Sequence, residues 1–325
     1  AVANAWVTAN SRYMLYVNGR FIQRGPAPSD PRMVDVDPAD LRPLLKPGQN
    51  VIGVLVCHFG HGDGTYVPTE VPAGAAGLLF QLDIQAGGAA SRIVSDESWT
   101  CHRARYWPAG KYQRWFLRAI QEDFDARQYP YGWTAEGFDD DAWVAPRVKQ
   151  SYPGLPNIED LPREGWHADW KLTPRSIPYM LEQPFAPAKL GPAGRIHWKI
   201  APEEYFDCFS SDAFTETVDP SVITPNPSGA LFPLTAHVEE HGTTAVTFEF
   251  DEEISGHIFL RLRAPAGTVC DILYVEAQQP DKLMLRVSSS HAEWMRVTTR
   301  DGETVFESFD YDALRLLQLL IRNTS

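Results

Sequence analysis

The sequence predicts an all-β protein built from two antiparallel, jelly-roll-like β-sandwich domains. Short stretches of alternating or apolar residues recur along most of the chain, separated by turn sequences rich in Gly, Pro, Asn and Asp. Helical periodicity is almost absent. Many short strands with regular turns are typical of sandwiches rather than of helical or mixed folds. A length of 325 residues fits two domains of ordinary size.

Turn sequences predict hairpins near both ends of the chain. Residues 5–24 alternate apolar and polar side chains on either side of Asn18-Gly19. An Asn-Gly pair favours a two-residue hairpin turn, because both turn positions require positive φ angles. Asp301-Gly302 predicts the same kind of turn before the last long strand.

Proline and glycine content predicts where the domains divide. We expect a first sandwich over residues 1–148, an extended linker over residues 149–171 and a second sandwich over residues 172–325. The linker interval contains three prolines. The sequence that follows it, LTPRSIPYMLEQPF, predicts an edge strand, because proline cannot donate to a central sheet ladder. The sequence of residues 201–230 predicts irregular structure.

The charge balance restricts the possible partners. The formal net charge is −13, which argues against nucleic acid because its binding requires a basic surface. The same charge argues against an anionic membrane surface, and no apolar run is long enough to cross a bilayer. Uncharged partners such as carbohydrates remain compatible with this negative charge. No signal peptide is visible, so the sequence does not decide between a cytoplasmic and a secreted or periplasmic location.

The four cysteines stand far apart, and none forms a Cys-x-x-Cys pair. This spacing predicts free, buried thiols rather than a zinc site or a disulfide framework. The cysteines are Cys57, Cys101, Cys208 and Cys270.

One acidic segment, residues 121–143, combines carboxylates, a guanidinium group and indoles. If it begins as a strand, alternation places Phe124 on the inner face and Asp123, Asp125 and Arg127 on the outer face. Such groups are typical of sugar sites, because charged groups bind hydroxyls while an indole stacks on the apolar face of the ring. The alternative is a solvated acidic turn that closes a β-domain, with the tryptophans in the core.

Four stretches occur in an order that is typical of one enzyme family. They are RYMLYVNGRFI, VDVDPADLRPLLKPGQNVIGVLV, SDESWT and EDFDARQYPYGWTAEGFDDDAW. These stretches resemble the N-terminal β-sandwich module of bacterial α-L-rhamnosidases. The resemblance lies in the hairpin, the Lys-Pro-Gly strand, the Asp-x-Ser-Trp strand and the closing sequence. Phe124 stands where this module usually has tyrosine.

The second half resembles the module that follows in the same enzymes. FEFDEEISGHIFLRLRAPAGTVCDILYVEA and FESFDYDALRLLQLLIRN are similar to two of its strand patterns. Glu252-Glu253 replaces a common glycine, so the match is not complete. The two ordered modules together cover most of the chain.

In these enzymes a six-fold α/α barrel follows the two sandwiches and supplies the inverting acid and base. No part of this sequence resembles such a barrel. The resemblance therefore implies an accessory β-rich portion of an α-L-rhamnosidase-like glycoside hydrolase, with no catalytic residue of its own. This portion would bind carbohydrate or support the catalytic barrel. The alternatives are a stand-alone, lectin-like carbohydrate-binding protein and a scaffold that provides only an interface.

The resemblance also implies that the first sandwich binds a rhamnose-containing glycan or glycoside, with a calcium ion in related modules. Three loops are expected to converge at one end of it: Ser29–Arg32, His58–Tyr66 and Glu122–Arg127. The candidate carbohydrate-binding residues are Asp30, His58, His61, Asp63, Trp107, Trp115, Glu122, Asp125, Arg127 and Trp133. The possible calcium ligands are Asp30, Asp63, Glu122 and Asp125, because calcium prefers oxygen ligands.

Two other interpretations of these residues compete with a carbohydrate-binding site. In the first, Arg127 pairs with Asp125 or Glu122 and locks the edge of a sheet. In the second, His58, His61 and Asp63 form a zinc cluster. Their spacing is loose and interrupted by glycines, so we expect a polar loop rather than a metal there.

Overall fold

The computed structural model describes residues 2–27, 29, 33–58, 76–113, 120–148, 171–225, 234–277, 282–287 and 293–323. The chain is nearly all β, as predicted. Its contacts divide it into two compact units. The first unit comprises residues 1–103 and 130–180, and the second comprises residues 104–129 and 181–325.

Eighteen strands occur among the described residues. In chain order they are β1 (Val2–Asn10), β2 (Arg12–Val17), β3 (Arg20–Gly25), β4 (Met33–Asp40), β5 (Ile52–Cys57), β6 (Gly77–Ala86), β7 (Ala89–Val94), β8 (Ala109–Gln113), β9 (Ile120–Asp125), β10 (Lys171–Pro174), β11 (Lys189–Trp198), β12 (Phe214–Val218), β13 (Ile223–Pro225), β14 (Leu234–Ala236), β15 (Thr243–Ala264), β16 (Val269–Val275), β17 (Trp294–Thr298) and β18 (Gly302–Arg322). One short helix, α1 (Pro202–Cys208), and a single 3-10 turn at Pro220–Val222 accompany them.

Two sheets of the first unit share one core. One sheet has the strand order β10–β4–β1–β6–β7, and the other has the order β3–β2–β5. Alternate residues of β1, β2 and β6 enter the core, and Val7, Leu15 and Leu82 are fully buried there. This arrangement agrees with the sandwich predicted for the N-terminal half. The jelly-roll connectivity stays a prediction.

The predicted Asn18-Gly19 turn is confirmed. Asn18 and Gly19 have φ angles of 50° and 79°, and they join β2 to β3. The Asn18 side chain fixes the turn, because its Nδ2 donates to the Leu44 carbonyl at 3.0 Å and its Oδ1 accepts from the Val51 amide at 2.9 Å. The strand expected before the turn is divided at Ser11, so that β1 and β2 belong to different sheets.

A buried ion pair lies next to the end of β3. The Tyr13 hydroxyl donates to Asp37 Oδ2 at 2.5 Å, and Arg175 Nη1 donates to Asp37 Oδ1 at 3.1 Å. The side chains of Asp37 and Arg175 are both buried. A Cβ atom at Gly25 would overlap the Asp37 carboxylate and crowd the Tyr13 ring, so only glycine fits there. The pair links β4 to the residue that follows β10.

Eight strands of the second unit form one hydrogen-bonded sheet, in the order β12–β11–β15–β18–β16–β17–β9–β8. Its central ladder pairs β15 with β18 and changes register between Glu249 and Ile254 and again between His257 and Phe259. β13 and β14 form a small separate sheet. Helix α1 packs on the large sheet, and its Phe206 is buried in the same core as residues of β11, β15, β16 and β18.

A second buried ion network joins α1 to this sheet. Asp271 on β16 has no exposed surface, and it accepts a hydrogen bond from Arg296 Nε at 2.6 Å. Arg322 Nη1 on β18 pairs with the other Asp271 oxygen. Arg322 Nη2 donates to Glu203 Oε1 in the first turn of α1 at 2.6 Å. Three strands and the helix are therefore held by one group of charges.

Two strand pairs are parallel, whereas the sequence predicted only antiparallel sheets. β10 pairs with β4, and β9 pairs with β17. β9 falls inside the interval 1–148 predicted for the first domain, yet it is a strand of the second unit. Conversely, residues 172–180 belong to the first unit. Pairing between strands that are distant in the chain decides this division, and local sequence patterns do not encode such pairing. The predicted linker, residues 149–171, lies outside the described residues except for Lys171.

The single helix lies in a stretch that the sequence predicted to be irregular. α1 begins at Pro202, which favours a first helical position because its missing N–H would be unpaired there in any case. Its seven residues are too few for a periodic pattern to be recognised. No helix in the part of the chain that the structure describes is long and apolar enough to span a membrane.

The four cysteines are free, as predicted. The expectation that all of them are buried is wrong for three, of which Cys57 is half-buried. Cys270 is buried on β16, whereas Cys101 and Cys208 are exposed. Burial raises the pKa of the Cys270 thiol, so this group is an inert part of the core.

Candidate functional site

The start of the acidic segment is a strand with the predicted alternation. β9 and the residue after it bury Phe124 and Ala126, each about 1% exposed. Asp123 and Asp125 are half-buried on the other face, and Arg127 is exposed. The inner and outer faces of this segment were thus predictable from a period of two.

Asp125 and Arg127 form a two-point ion pair. Arg127 Nε donates to Asp125 Oδ1 at 2.8 Å, and Arg127 Nη2 donates to Asp125 Oδ2 at 2.8 Å. The Arg127 amide also donates to Asp125 Oδ1, at 3.1 Å. The hydrogen bond from Arg127 lowers the pKa of the Asp125 carboxyl. This geometry is the sheet-edge pair considered as the structural interpretation, and it occupies both carboxylate oxygens.

Glu122 lies on the face of β9 opposite to Asp125 and is buried. Its Oε1 accepts from the backbone amides of Phe309 at 2.7 Å and Asp310 at 3.3 Å. Its Oε2 accepts from Trp107 Nε1 at 3.0 Å. The Trp107 ring in turn packs edge-on against Phe124, with centroids 4.9 Å apart. Glu122 and Trp107 are therefore in contact, as a binding site would require. Their contact, however, belongs to a buried link between β9 and β18.

Burial sets the protonation of Glu122. Removal from water raises the pKa of its carboxyl to about 8, although the Asp310 and Phe309 amides and the Trp107 indole oppose the rise. All three partners are donors, so hydrogen bonding favours the ionised form while desolvation favours the neutral one. The carboxyl consequently changes charge near neutral pH.

The stability of the chain should therefore depend on pH through Glu122. Because the folded pKa lies above the unfolded value of 4.5, the contribution is complete below about pH 4.5 and is lost as the pH rises to about 8. The slope approaches about 1.4 kcal/mol per pH unit in that window. Urea unfolding of the natural chain and of Glu122→Gln at several pH values measures the difference. Glu97→Gln, at an exposed position, is the control, and identical slopes for the natural chain and Glu122→Gln would exclude this role.

Trp133 belongs to the first unit and covers its three-stranded sheet. The indole lies against β5 at Gly53, where a Cβ atom would approach the ring to 2.7 Å. It contacts Tyr16 of β2 edge-on, with centroids 5.7 Å apart, and it lies 6.2 Å from Trp143. These contacts favour the interpretation in which the tryptophans of the acidic segment belong to the packing.

The remaining candidates divide between the units or lie outside the described residues. His58 follows β5 in the first unit and is half-buried. Trp107, Glu122, Asp125 and Arg127 belong to the second unit, whereas Trp133 belongs to the first. Asp30, His61, Asp63 and Trp115 lie outside the residues that the structure describes. The sugar-binding role of this set stays a prediction.

The proposed calcium ligands are placed only in part. Glu122 and Asp125 are three positions apart on one strand, so their side chains leave opposite faces. Within the described ranges, no three His, Cys, Asp or Glu side chains are grouped closely enough to hold a metal ion. A calcium site in the first unit would therefore depend on Asp30 and Asp63.

The sequence of this chain can be compared with families of known proteins. Residues 1–158 match the family model of the alpha-L-rhamnosidase N-terminal domain. Over this range the chain is similar to the α-L-rhamnosidase N-terminal domain. This confirms the resemblance drawn from the hairpin and closing motifs. The matched range includes β8 and β9, so its limit along the sequence differs from the limit of the first compact unit.

A curated relative supports the same assignment. An alpha-L-rhamnosidase of Streptomyces avermitilis is 32% identical to this chain over 152 residues, which are 45% of the chain. The chain covers 14% of the length of that relative. The rhamnosidase N-terminal domain is thus matched to a small portion of a much longer protein.

Solved rhamnosidases share the fold over almost the whole chain. The GH78 family rhamnosidase of Bacillus sp. GL1 matches 99% of the chain with a TM-score of 0.66 and 18% identity, and the match covers 50% of that enzyme. The Streptomyces avermitilis α-L-rhamnosidase solved with L-rhamnose matches 98% of the chain with a TM-score of 0.57 and 21% identity, over 25% of its length. The common fold therefore extends through both units.

Proposed function

We propose that this chain is the β-rich N-terminal portion of an α-L-rhamnosidase that hydrolyses terminal α-L-rhamnosyl residues with inversion. The observation that carries the proposal is the fold match to a solved rhamnosidase over 99% of the chain. The family match over residues 1–158 adds sequence support. Since the chain spans half or less of these relatives, the reaction is assigned to a catalytic α/α barrel that acts together with it.

Within this proposal, Glu122 and Asp125 of β9 support the fold rather than the chemistry. An inverting pair needs two carboxyl groups roughly 6.5–9.5 Å apart, with a water molecule between them. Asp125 is held by Arg127, and Glu122 is held by two backbone amides and an indole. Neither is available to a substrate in this arrangement.

We also propose that the first unit binds a rhamnose-containing glycan or glycoside, with calcium as a possible cofactor. The support is the acidic and aromatic composition of its loops and a net charge that suits an uncharged ligand. Asp63 is the residue whose replacement tests this best, because Asp125 is already paired with Arg127.

One experiment with two arms tests the proposal. In the first, the polypeptide that contains this chain is incubated with 4-nitrophenyl α-L-rhamnoside, and the anomer released first is identified by NMR. We expect β-L-rhamnose, and no reaction with the matching β-D-glucoside. Absence of rhamnose release from any rhamnoside would overturn the enzymatic assignment.

In the second arm, the chain itself is titrated calorimetrically with L-rhamnose, with calcium and with a chelator. Binding at millimolar to micromolar concentration, about −4 to −8 kcal/mol, that is lost in Asp63→Ala supports the sugar site. Absence of heat with and without calcium would leave support of the catalytic barrel as the role of the chain.

A further inference from the structure

The turn between β2 and β3 carries a pair of residues with a specific chemical weakness. In an Asn-Gly pair the glycine nitrogen can attack the carbonyl carbon of the asparagine side chain, because glycine has no Cβ atom to hinder the approach. Asn18-Gly19 is the sole Asn-Gly pair in the sequence. Asn18 is half-buried and Gly19 is exposed, so water can reach the turn.

The reaction is spontaneous and uses water as its co-reactant. The Gly19 nitrogen loses its proton and bonds to Asn18 Cγ. The Cγ–Nδ2 bond then breaks, and Nδ2 takes up a proton and leaves as ammonia. Water opens the resulting succinimide ring at either of its carbonyls, which leaves aspartate or isoaspartate at position 18. Both products carry a carboxylate in place of the amide, and isoaspartate also adds a methylene group to the backbone.

The Asn18 side chain is held with its carbonyl polarised. The Val51 amide donates to Asn18 Oδ1 at 2.9 Å, so a hydrogen-bond donor already lies where negative charge develops during the attack. Asn18 Nδ2 donates to the Leu44 carbonyl and to Asn50 Oδ1, both at 3.0 Å. These hydrogen bonds direct the side chain toward the loop of residues 44–51 and leave its carbonyl carbon activated toward attack.

The Gly19 amide, in contrast, is withheld from the reaction. It donates to the Thr134 carbonyl at 2.8 Å, and this hydrogen bond has to break before the nitrogen can lose its proton. Thr134 follows Trp133, whose indole packs against β5 at Gly53. We call residues 130–137 the covering segment. Its packing on the three-stranded sheet therefore keeps the attacking nitrogen occupied.

We propose that Asn18 is a site of spontaneous deamidation and that the covering segment controls its rate. While the Thr134 carbonyl accepts from the Gly19 amide, the asparagine persists. When the covering segment opens locally, the released nitrogen lies in the same turn as a polarised carbonyl. The observed rate is then the rate of the open turn multiplied by the fraction of time for which the segment is open. This proposal is independent of the enzymatic assignment.

The product cannot restore the turn. Aspartate or isoaspartate at position 18 has no donor for the Leu44 carbonyl, and its negative charge lies beside Asn50 Oδ1. Two hydrogen bonds of the natural turn are therefore lost. Because the change is covalent, each opening that leads to reaction destabilises the β2–β3 hairpin permanently.

The test follows the peptide that contains Asn18 by mass spectrometry while the 325-residue chain is incubated at mildly alkaline pH. We expect deamidation to be about tenfold or more faster in the urea-unfolded chain than in the folded chain. Exchange of the Gly19 amide hydrogen is measured by NMR as urea is raised below the unfolding transition. It should accelerate in proportion to deamidation, because both reactions require release from Thr134. Equal deamidation rates in the folded and unfolded chains overturn the proposal.

Two variants separate local opening from general destabilisation. Trp133→Ala removes the indole that anchors the covering segment, and it should raise both the deamidation rate and Gly19 exchange about tenfold. Trp6→Ala removes an indole that is half-buried on β1, in the other sheet of the first unit, and it should change neither rate while the chain is folded. Faster Gly19 exchange in Trp133→Ala without faster deamidation overturns the proposal. If Trp133→Ala does not fold, the urea series on the natural chain decides, because deamidation that fails to follow Gly19 exchange there overturns it equally.

Discussion

An Asp271→Ala variant is expected to unfold with a free energy about 3–5 kcal/mol lower than that of the natural chain. Asp271 has no exposed surface and accepts hydrogen bonds from Arg296 and Arg322. Its removal leaves two largely buried guanidinium groups without this carboxylate. An uncompensated buried charge costs more than the net value of the pair itself. Urea unfolding at constant pH, followed by circular dichroism, measures the change.

The control for this variant is Asp212→Ala, at an exposed position of the same unit, which should leave unfolding unchanged. Arg322→Ala combined with Asp271→Ala should cost less than the two single changes added together, because the double variant no longer buries the arginine charge. Strictly additive losses would show that the network contributes through packing alone.

An Asp37→Ala variant is expected to lose a similar amount, about 3–5 kcal/mol. Burial raises the pKa of Asp37, and hydrogen bonds from Tyr13 and Arg175 oppose the rise. Without the carboxylate, the buried Tyr13 hydroxyl and the Arg175 guanidinium lose a common acceptor. The same urea experiment measures the loss. Limited proteolysis near residues 176–184 should also become faster, because Arg175 holds that segment.

Two comparisons limit the interpretation of the Asp37 result. Tyr13→Phe removes only one hydroxyl and should cost about 1–3 kcal/mol. Asp83→Asn disrupts an exposed pair with Arg92 and should have no measurable effect. A loss in Asp37→Ala no larger than that in Tyr13→Phe would contradict the importance of the ion pair.

Local features of this fold were predictable because local chemistry determines them. The Asn18-Gly19 turn follows from the tolerance of both residues for positive φ angles, and the inner and outer faces of β9 follow from a period of two. The partner of β9 was not predictable. The residues of β17 that pair with Asp123 and Phe124 lie far along the chain, and no turn sequence connects the two strands.

The candidate site shows the same limit. Alternation alone separates Glu122 from Asp125, and a stricter use of it would have kept these two carboxylates out of one proposed calcium site. The acceptor role of Glu122 depends on amides at Phe309 and Asp310, which sequence spacing could not supply. Asp37 and Arg175 are 138 residues apart in the chain, and Asp271 and Arg322 are 51 apart, so neither buried pair has a sequence signature.

The parallel pairing of β9 with β17 has a consequence for synthesis on the ribosome. β9 emerges well over a hundred residues before its partner strand, an interval of roughly ten to thirty seconds at ordinary elongation rates. During that time one edge of β9 has no native partner strand, and Phe124 has only its near neighbours Trp107 and Tyr129 to contact. A nascent chain in this state offers an open strand to other polypeptides. The acidic residues around Phe124, and any chaperone present, would protect it until β17 is made.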